Sequence, residues 1–296
     1  MDILITIIGI AAVALLWVML YDSNRFVIRK YTAKDRRIQK PCRAVLVTDL
    51  HNKRYGKDNG ALLEAIREQQ PDFILIAGDV LTAKPGASLE PALQFLRALA
   101  GEYPIYYANG NHEHRLKLYP ETYGDMAQRY GKALEEMGIY PLVNEHIDLQ
   151  EYGITIYGSE IDKFFYKRFK VRRMEEDYLA GILGQASDDR FTVLLAHNPD
   201  YFPQYAAWGA DLTLSGHIHG GVARVPVWGR GVVSPAWRLF PRYDGGIFKE
   251  GRSVMLLSRG LGIHTIPVRL FNPAELWVVE FQPEHKFFLE MEGKKG

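Results

Sequence analysis

Residues 45–51 read Val45-Leu46-Val47-Thr48-Asp49-Leu50-His51, a short apolar run that ends in a carboxylate and an imidazole. A run of this length, rich in Val and Leu, reads as a buried strand, and the polar residues past its end read as a loop. The same signature recurs along the chain. Phe73-Ile74-Leu75-Ile76 leads into Gly78-Asp79, and the more aromatic Ile105-Tyr106-Tyr107 leads into Gly110-Asn111-His112-Glu113. Val193-Leu194-Leu195 leads into His197, and Leu212-Thr213-Leu214 into Gly216-His217-Ile218-His219. Layered α/β folds place ligands just past the carboxyl ends of strands. The clusters supply two carboxylates, one amide oxygen and several imidazoles, the donor mix of a site for two divalent metals. Nitrogen and oxygen donors without sulfur suit Mn, Fe, Co or Zn better than Mg or Ca.

Helical patterns separate the early clusters. Leu62, Leu63 and Ile66 share one helix face, Leu89 to Leu99 predicts a second helix, and Tyr123 to Met137 a third, closed by Gly138. Further strands are expected at Ile154-Thr155-Ile156-Tyr157, Val254-Met255-Leu256-Leu257 and Leu276-Trp277-Val278-Val279. Early βα alternation followed by later strands predicts an α/β sandwich of mixed sheets flanked by helices.

The 296 residues carry a formal net charge of +1, which gives no argument for a nucleic-acid partner. The one cysteine, Cys42, excludes an internal disulfide and lies outside the clusters. No internal repeat is visible. At the N-terminus, Ile3 to Leu20 is uncharged and apolar, close to the roughly 17–25 residues that span a bilayer. A cleaved signal peptide is disfavoured, since the start lacks a basic region and no small-x-small site follows. A helix apolar all round is also a poor core element at a chain end. The expected organisation is therefore a transmembrane anchor at residues 1–21, a basic juxtamembrane linker at 22–42, and a catalytic domain at 43–296. Arg25, Arg29, Lys30, Lys34, Arg36, Arg37 and Lys40 follow the apolar run. By the positive-inside rule they keep this flank cytoplasmic, giving a single-pass protein of the cell membrane with its domain on the cytoplasmic side.

With D-x-H at Asp49, G-D at Asp79, G-N-H-E at Asn111, a lone His197 and G-H-x-H at His217, the chain resembles the calcineurin-like metallophosphoesterases over roughly residues 43 to 280. Ser258-Arg259-Gly260-Leu261-Gly262, with Pro267-Val268-Arg269, looks like the closing segment of that family's membrane-associated bacterial phosphodiesterase subgroup. The resemblance implies a four-layer α/β/β/α sandwich. It implies that Asp49, His51 and His219 hold one metal, that Asn111, His197 and His217 hold the other, and that Asp79 bridges them. It places His112 against the substrate as the catalytic residue, donating to the leaving oxygen or to the transition state. Glu113 is expected to support the site rather than ligate, and His114, His146 and His264 to be ordinary loop histidines.

The expected activity is phosphohydrolysis of a phosphodiester or pyrophosphate, with a lipid or a nucleotide-sugar lipid such as UDP-diacylglucosamine as one substrate class. A phosphomonoesterase with the same site and a non-catalytic metal-binding scaffold are the alternatives. The complete donor set and His112 argue against the scaffold. Lys163 to Arg173 interleaves aromatics and cations. It is either a solvated surface or a membrane-facing cap, with Lys167, Arg168 and Arg172 as substrate contacts. Trp228 to Phe248 is either a loop near the metals or packing.

Overall fold

A computed structural model describes residues 2–263 and 268–284. In chain order its elements are α1 (Asp2–Ser23), β1 (Phe26–Asp35), β2 (Cys42–Val47), α2 (Gly60–Glu68), β3 (Phe73–Ala77), α3 (Glu90–Ala100), β4 (Ile105–Ala108), α4 (Asn111–Leu118), α5 (Pro120–Tyr123) and α6 (Met126–Glu136). There follow β5 (Glu145–Leu149), β6 (Ile154–Ser159), α7 (Tyr178–Leu183), β7 (Phe191–Ala196), α8 (Phe202–Trp208), β8 (Leu212–Ser215), β9 (Gly246–Glu250), β10 (Ser253–Leu257) and β11 (Ala274–Pro283). One sheet runs β1-β11-β2-β3-β4 and the other β5-β6-β7-β8-β10-β9.

The apolar runs are continuous because both faces of their strands are covered. Side chains alternate across a strand with a period of two. In β2 and β3, Val45, Val47, Ile74 and Ile76 pack with Leu62, Ile66, Leu96 and Leu134 of the flanking helices. Their neighbours Ala44, Leu46, Phe73 and Leu75 meet Ile154, Ile156, Val193 and Leu214 of the second sheet. Beyond that sheet, Tyr157 and Leu194 pack on Leu179, Leu183 and Tyr205 of α7 and α8. The layers are thus helices, sheet, sheet, helices, which is the four-layer sandwich expected.

Two expectations need correction. The helix read across Tyr123 to Met137 is broken at Gly124, whose φ of 60° turns the chain between α5 and α6. The stretch 22–42, read as a linker, is largely strand: β1 pairs in parallel with β11, from Phe26 opposite Ala274 to Asp35 opposite Pro283. Two of its cations pair with the domain, Arg29 with Glu275 at 3.1 Å and Arg37 with Asp211 at 2.8 Å. An edge strand with one wet face carries just such Lys and Arg residues, which guard its unpaired backbone and conceal it in the sequence.

Helix α1 is apolar on every side and exposed along nearly its whole length. Among the described residues it is the one helix long and apolar enough to cross a membrane. At about 1.5 Å per residue its 22 residues reach about 33 Å. Its carboxyl end is tied to the domain: the buried Asp22 accepts from the Asn272 N–H at 2.9 Å and pairs with Arg25 at 2.9 Å.

Candidate metal centre

Strands β2, β3, β4, β7 and β8 end at one edge of the sandwich, and each delivers its cluster there. The chain bends sharply as it leaves them. Asp49 (φ 51°), His51 (48°), Asp79 (55°), His217 (71°) and His219 (52°) all adopt the left-handed conformation, which is costly for residues other than glycine. Bonds between the loops hold these bends. The Asp49 N–H donates to the Gly78 carbonyl at 3.0 Å, His51 N–H to Asp79 at 3.1 Å, and Gly216 N–H to His197 at 3.1 Å. A Cβ on Gly110 would run into the Asp79 carboxylate, and one on Gly216 into the Asp49 carboxylate, so both positions need glycine. The closing segment backs the Asp49 loop. Leu261 N–H donates to the Thr48 carbonyl at 3.1 Å, and the buried Arg269 guanidinium donates to the carbonyls of Arg259 at 2.8 Å and Gly260 at 3.0 Å.

The donor atoms converge. Asp49, His51 and His219 present theirs within 4.8 Å of one another, and so do Asp79, His197 and His217. His219 Nε2 lies 3.2 Å from Asp49 Oδ1 and 3.1 Å from His51 Nε2. His197 Nε2 lies 3.0 Å from Asp79 Oδ2, and His51 Nε2 lies 3.7 Å from that same oxygen. Asp49, His51 and His219 thus come together as one group, and His197 and His217 come together at Asp79. The side chains suit divalent cations. The buried Asn111 Oδ1 has no hydrogen-bond partner among the described residues. His197 Nδ1–H donates to the Ala77 carbonyl at 2.7 Å, which turns its Nε2 lone pair toward the carboxylates.

Burial opposes charge on Asp49 and Asp79, yet His219 and His197 beside Asp49, and His197 and His112 beside Asp79, hold both carboxyls below the usual range. Burial also pulls His197 down, but Asp79 and Asp49 outweigh it and lift the imidazole to about 10. A metal ligand must be a neutral imidazole, so a cation entering here displaces that proton.

His112 differs from the other histidines. Its Nδ1 accepts the Ala83 N–H at 2.8 Å, which assigns the ring proton to Nε2. That nitrogen lies 4.0 Å from Asp79 Oδ2, and donor distances also group His112 with His51 and Asp79. Burial pushes the imidazole down to about 3, so near neutral pH it is an uncharged N–H donor. Glu113, the next residue, accepts from the N–H groups of Asp79 (2.9 Å), Val80 (2.9 Å), Leu81 (3.3 Å) and Gly110 (3.0 Å), and from the Tyr107 hydroxyl (3.0 Å). Burial and the Asp79 charge raise its carboxyl to about 7. It clamps the loop after β3 to the start of α4.

A cavity of about 380 Å³ opens over these donors, walled by His51, Asn111, His112 and His217. Arg168 reaches it. Lys167 lines a neighbouring cavity of about 460 Å³ that shares Asn111, Arg115 and Tyr166. Arg172 is not among the lining residues of either cavity; its guanidinium stacks over the Phe164 ring at 5.0 Å. Pro235 and Ala236, from the stretch left open between loop and packing, form part of the first wall. Lys84 and Arg115 line it as well and were not singled out from sequence. Arg115 had a legible signal: it follows Asn111 by four residues on α4, which puts both on one helix face. Tyr166 meets the His217 ring edge-on at 5.2 Å. His114 faces Glu160 at 3.8 Å, His146 packs on Tyr157 at 4.9 Å, and His264 lies outside the described residues.

A model of the calcineurin-like phosphoesterases matches residues 42–221. Among curated proteins, the chain is similar to the uncharacterized metallophosphoesterase YkuE of Bacillus subtilis (strain 168), 27% identical over 226 residues, which cover 75% of this chain and 72% of that one. It is similar to the phosphodiesterase YaeI of Escherichia coli (strain K12), 25% identical over 75% of this chain and 76% of the other. It is also similar to the UDP-2,3-diacylglucosamine pyrophosphatase LpxG of Chlamydia muridarum (strain MoPn / Nigg), 21% identical over 80% and 82% of the two chains.

Proposed function

The chain belongs to the calcineurin-like phosphoesterase family and is a metal-dependent hydrolase, and from that premise we propose that it is a membrane-anchored enzyme cleaving a phosphodiester or pyrophosphate bond of a membrane lipid. The observation that carries this reading is the pair of donor groups meeting at Asp79, whose members His51 and His217 line a cavity together with Lys84, Arg115 and Arg168. In this reading Asp49, His51 and His219 would hold one divalent cation, Asn111, His197 and His217 would hold the second, and Asp79 would serve both. Mn, Fe, Co or Zn suits these donors. When bound, such a pair supplies an acidified water and neutralises the phosphoryl oxygens.

The chain's own groups do the rest. The cationic side chains draw in and hold the phosphate. His112, kept neutral and with its proton on Nε2, donates a hydrogen bond to the oxygen that leaves or to the charge building on phosphorus. The Ala83 N–H fixes its ring, and Glu113 fixes the loop that carries Asp79. Tyr166 holds the His217 ring edge-on at the mouth. The anchor reading rests on α1, which gains nothing from its exposed apolar surface in water. Relatives named for phosphodiesterase and for UDP-2,3-diacylglucosamine pyrophosphatase activity favour a diester or pyrophosphate over a monoester. The basic residues from Arg25 to Lys40 favour a cytoplasmic domain.

The test is hydrolysis by the purified full chain loaded with Mn. Bis-p-nitrophenyl phosphate and UDP-diacylglucosamine in mixed micelles are compared with p-nitrophenyl phosphate. The expected result is turnover of the diester or the lipid pyrophosphate well above that of the monoester. A clear monoester preference would overturn the proposal in favour of a phosphomonoesterase.

A further inference from the structure

Between β8 and β9 the chain makes a tight hairpin whose tip is apolar and exposed. Arg224 and Gly231 face each other across an antiparallel bridge, Val225 N–H donates to the Arg230 carbonyl at 2.9 Å, and Gly229 N–H closes the turn on the Val225 carbonyl at 2.8 Å. The hairpin is braced from beneath. The buried Arg224 guanidinium donates to the carbonyls of Gly220 at 2.9 Å and Asp244 at 2.6 Å, and also to that of Gly229. The Asp244 carboxylate in turn accepts from Arg230 Nε at 2.9 Å and from the Gly231 N–H at 2.8 Å. On this support stand Val227 and Trp228, 89% and 76% exposed. A stiffly held turn that presents its two largest apolar side chains to the outside is built to meet something.

Its neighbour identifies the occupant. Val225, Pro226 and Gly229 share the walls of a cavity of about 440 Å³ with Trp17, Val18 and Tyr21 of α1. The tip therefore lies beside the last two turns of the apolar helix rather than beyond its end. Trp17 precedes Ser23 by six residues, about 9 Å along the axis at 1.5 Å per residue. If α1 spans a bilayer, a turn packed at the level of Trp17 is drawn to the depth of the interfacial aromatic layer. Arg25 and Arg259 line the same cavity, at the headgroup side of that layer.

We infer that the Pro226–Gly229 turn is a second membrane contact, in which Val227 and Trp228 enter the interface of the phospholipid bilayer that α1 crosses. The inference rests on the anchor reading above and extends it. One helix tethers a domain but leaves it free to swivel; a second contact beside it sets its tilt. The segment that follows the turn exposes Trp237, Leu239 and Phe240 and supplies Pro235 and Ala236 to the wall of the metal cavity. Phe169 N–H, from the basic-aromatic stretch, donates to the Ala236 carbonyl at 2.9 Å. Seating the turn in the bilayer thereby fixes the cavity relative to the membrane surface, as suits a substrate whose phosphate stays at headgroup level.

The experiment uses the full chain reconstituted in phosphatidylcholine–phosphatidylglycerol vesicles, with a nitroxide on one introduced cysteine at a time. Cys42 is buried and does not compete for the label. Ile10→Cys reports the middle of α1, Val227→Cys the turn, and Lys132→Cys on α6 the aqueous reference. Accessibility to oxygen is compared with accessibility to a water-soluble nickel reagent. The expected oxygen-to-nickel ratio is highest at position 10, and at position 227 several-fold above the reference. A ratio at 227 equal to the reference, with position 10 in the bilayer, overturns the inference and leaves the anchor standing. Position 10 at the reference value overturns the anchor and this inference together. Protection of 227 from both reagents means a protein covers the turn, and it overturns the inference as well.

Discussion

Asp79 meets both donor groups: its Oδ2 lies 3.0 Å from His197 Nε2 and 3.7 Å from His51 Nε2. Asp79→Asn keeps the shape and removes the charge, so it is expected to lower metal content to one ion or none and to abolish hydrolysis. Metal analysis of the purified variant checks this, and two ions per chain with near-normal turnover would contradict the bridge. His112→Ala separates binding from chemistry. Both ions are expected to remain while the rate falls by about 10²–10⁴, the usual range for a positioned donor. Equal losses of metal and activity would make His112 a ligand. His197 gives a pH signature in the metal-free protein. Its folded value, about 10, lies above the ordinary 6.5, so its contribution to stability is complete below about 6.5 and is lost as pH rises toward 10. Melting temperature in EDTA is expected to fall across that window. With Mn bound the ring is already neutral, and this fall should disappear. Parallel slopes with and without metal would remove His197 from the centre.

At the scale of elements, two devices hold the site in place. Glu113 joins α4 to the loop after β3, with backbone N–H groups from both meeting its oxygens. Glu113→Gln sets an NH₂ group against those donors, and buried unsatisfied groups cost about 1–3 kcal/mol each. The variant is expected to melt several degrees lower and to lose activity without losing any ligand residue. An unchanged melt and rate would reduce Glu113 to a spectator. The other device is β1, which forms the sheet edge beside β11. A chain starting at Asn24 keeps this strand and is expected to fold, whereas one starting at Pro41 strips it and uncovers β11. Circular dichroism melts and size-exclusion profiles of the two truncations check the difference. Equal behaviour would return residues 26–35 to the status of a linker.

At the scale of the molecule, α1 carries an apolar surface that the domain does not cover, and the basic stretch after it sets an expected direction. Protease added outside intact cells is expected to leave the domain whole, and detergent permeabilisation to expose it. Digestion in sealed cells would reverse the orientation. The closing segment adds a second long-range tie: Gly260 and Gly262 reach back to the Asp49 loop after the whole second sheet has been laid down. The donor set is complete only once both sheets are packed, since Asp49 and His219 come from different sheets and meet at 3.2 Å.

The strands that end in donors, the apolar helix and the donor types at each loop were legible in the sequence. These are local facts: apolar runs with two covered faces and polar residues at fixed offsets leave their mark in neighbouring positions. The family was legible too, because five spaced clusters carry more information than any one of them. The rest depended on contacts between distant residues, which only folding supplies. Residues 26–35 read as a basic linker because an edge strand's wet face looks like a solvated segment until β11 lies beside it. The charge of Arg172 is visible in the sequence, whereas its stacking on Phe164 is visible only in the fold. Lys84 enters the cavity wall only after its loop meets α4, and the tautomer of His112 is set by an Ala83 N–H 29 residues away in sequence. The turn at Val227 and Trp228 became meaningful only when folding placed it beside Trp17, about 210 residues earlier in the chain. Such pairings arise from the packing of whole layers, so no local stretch of sequence encodes them.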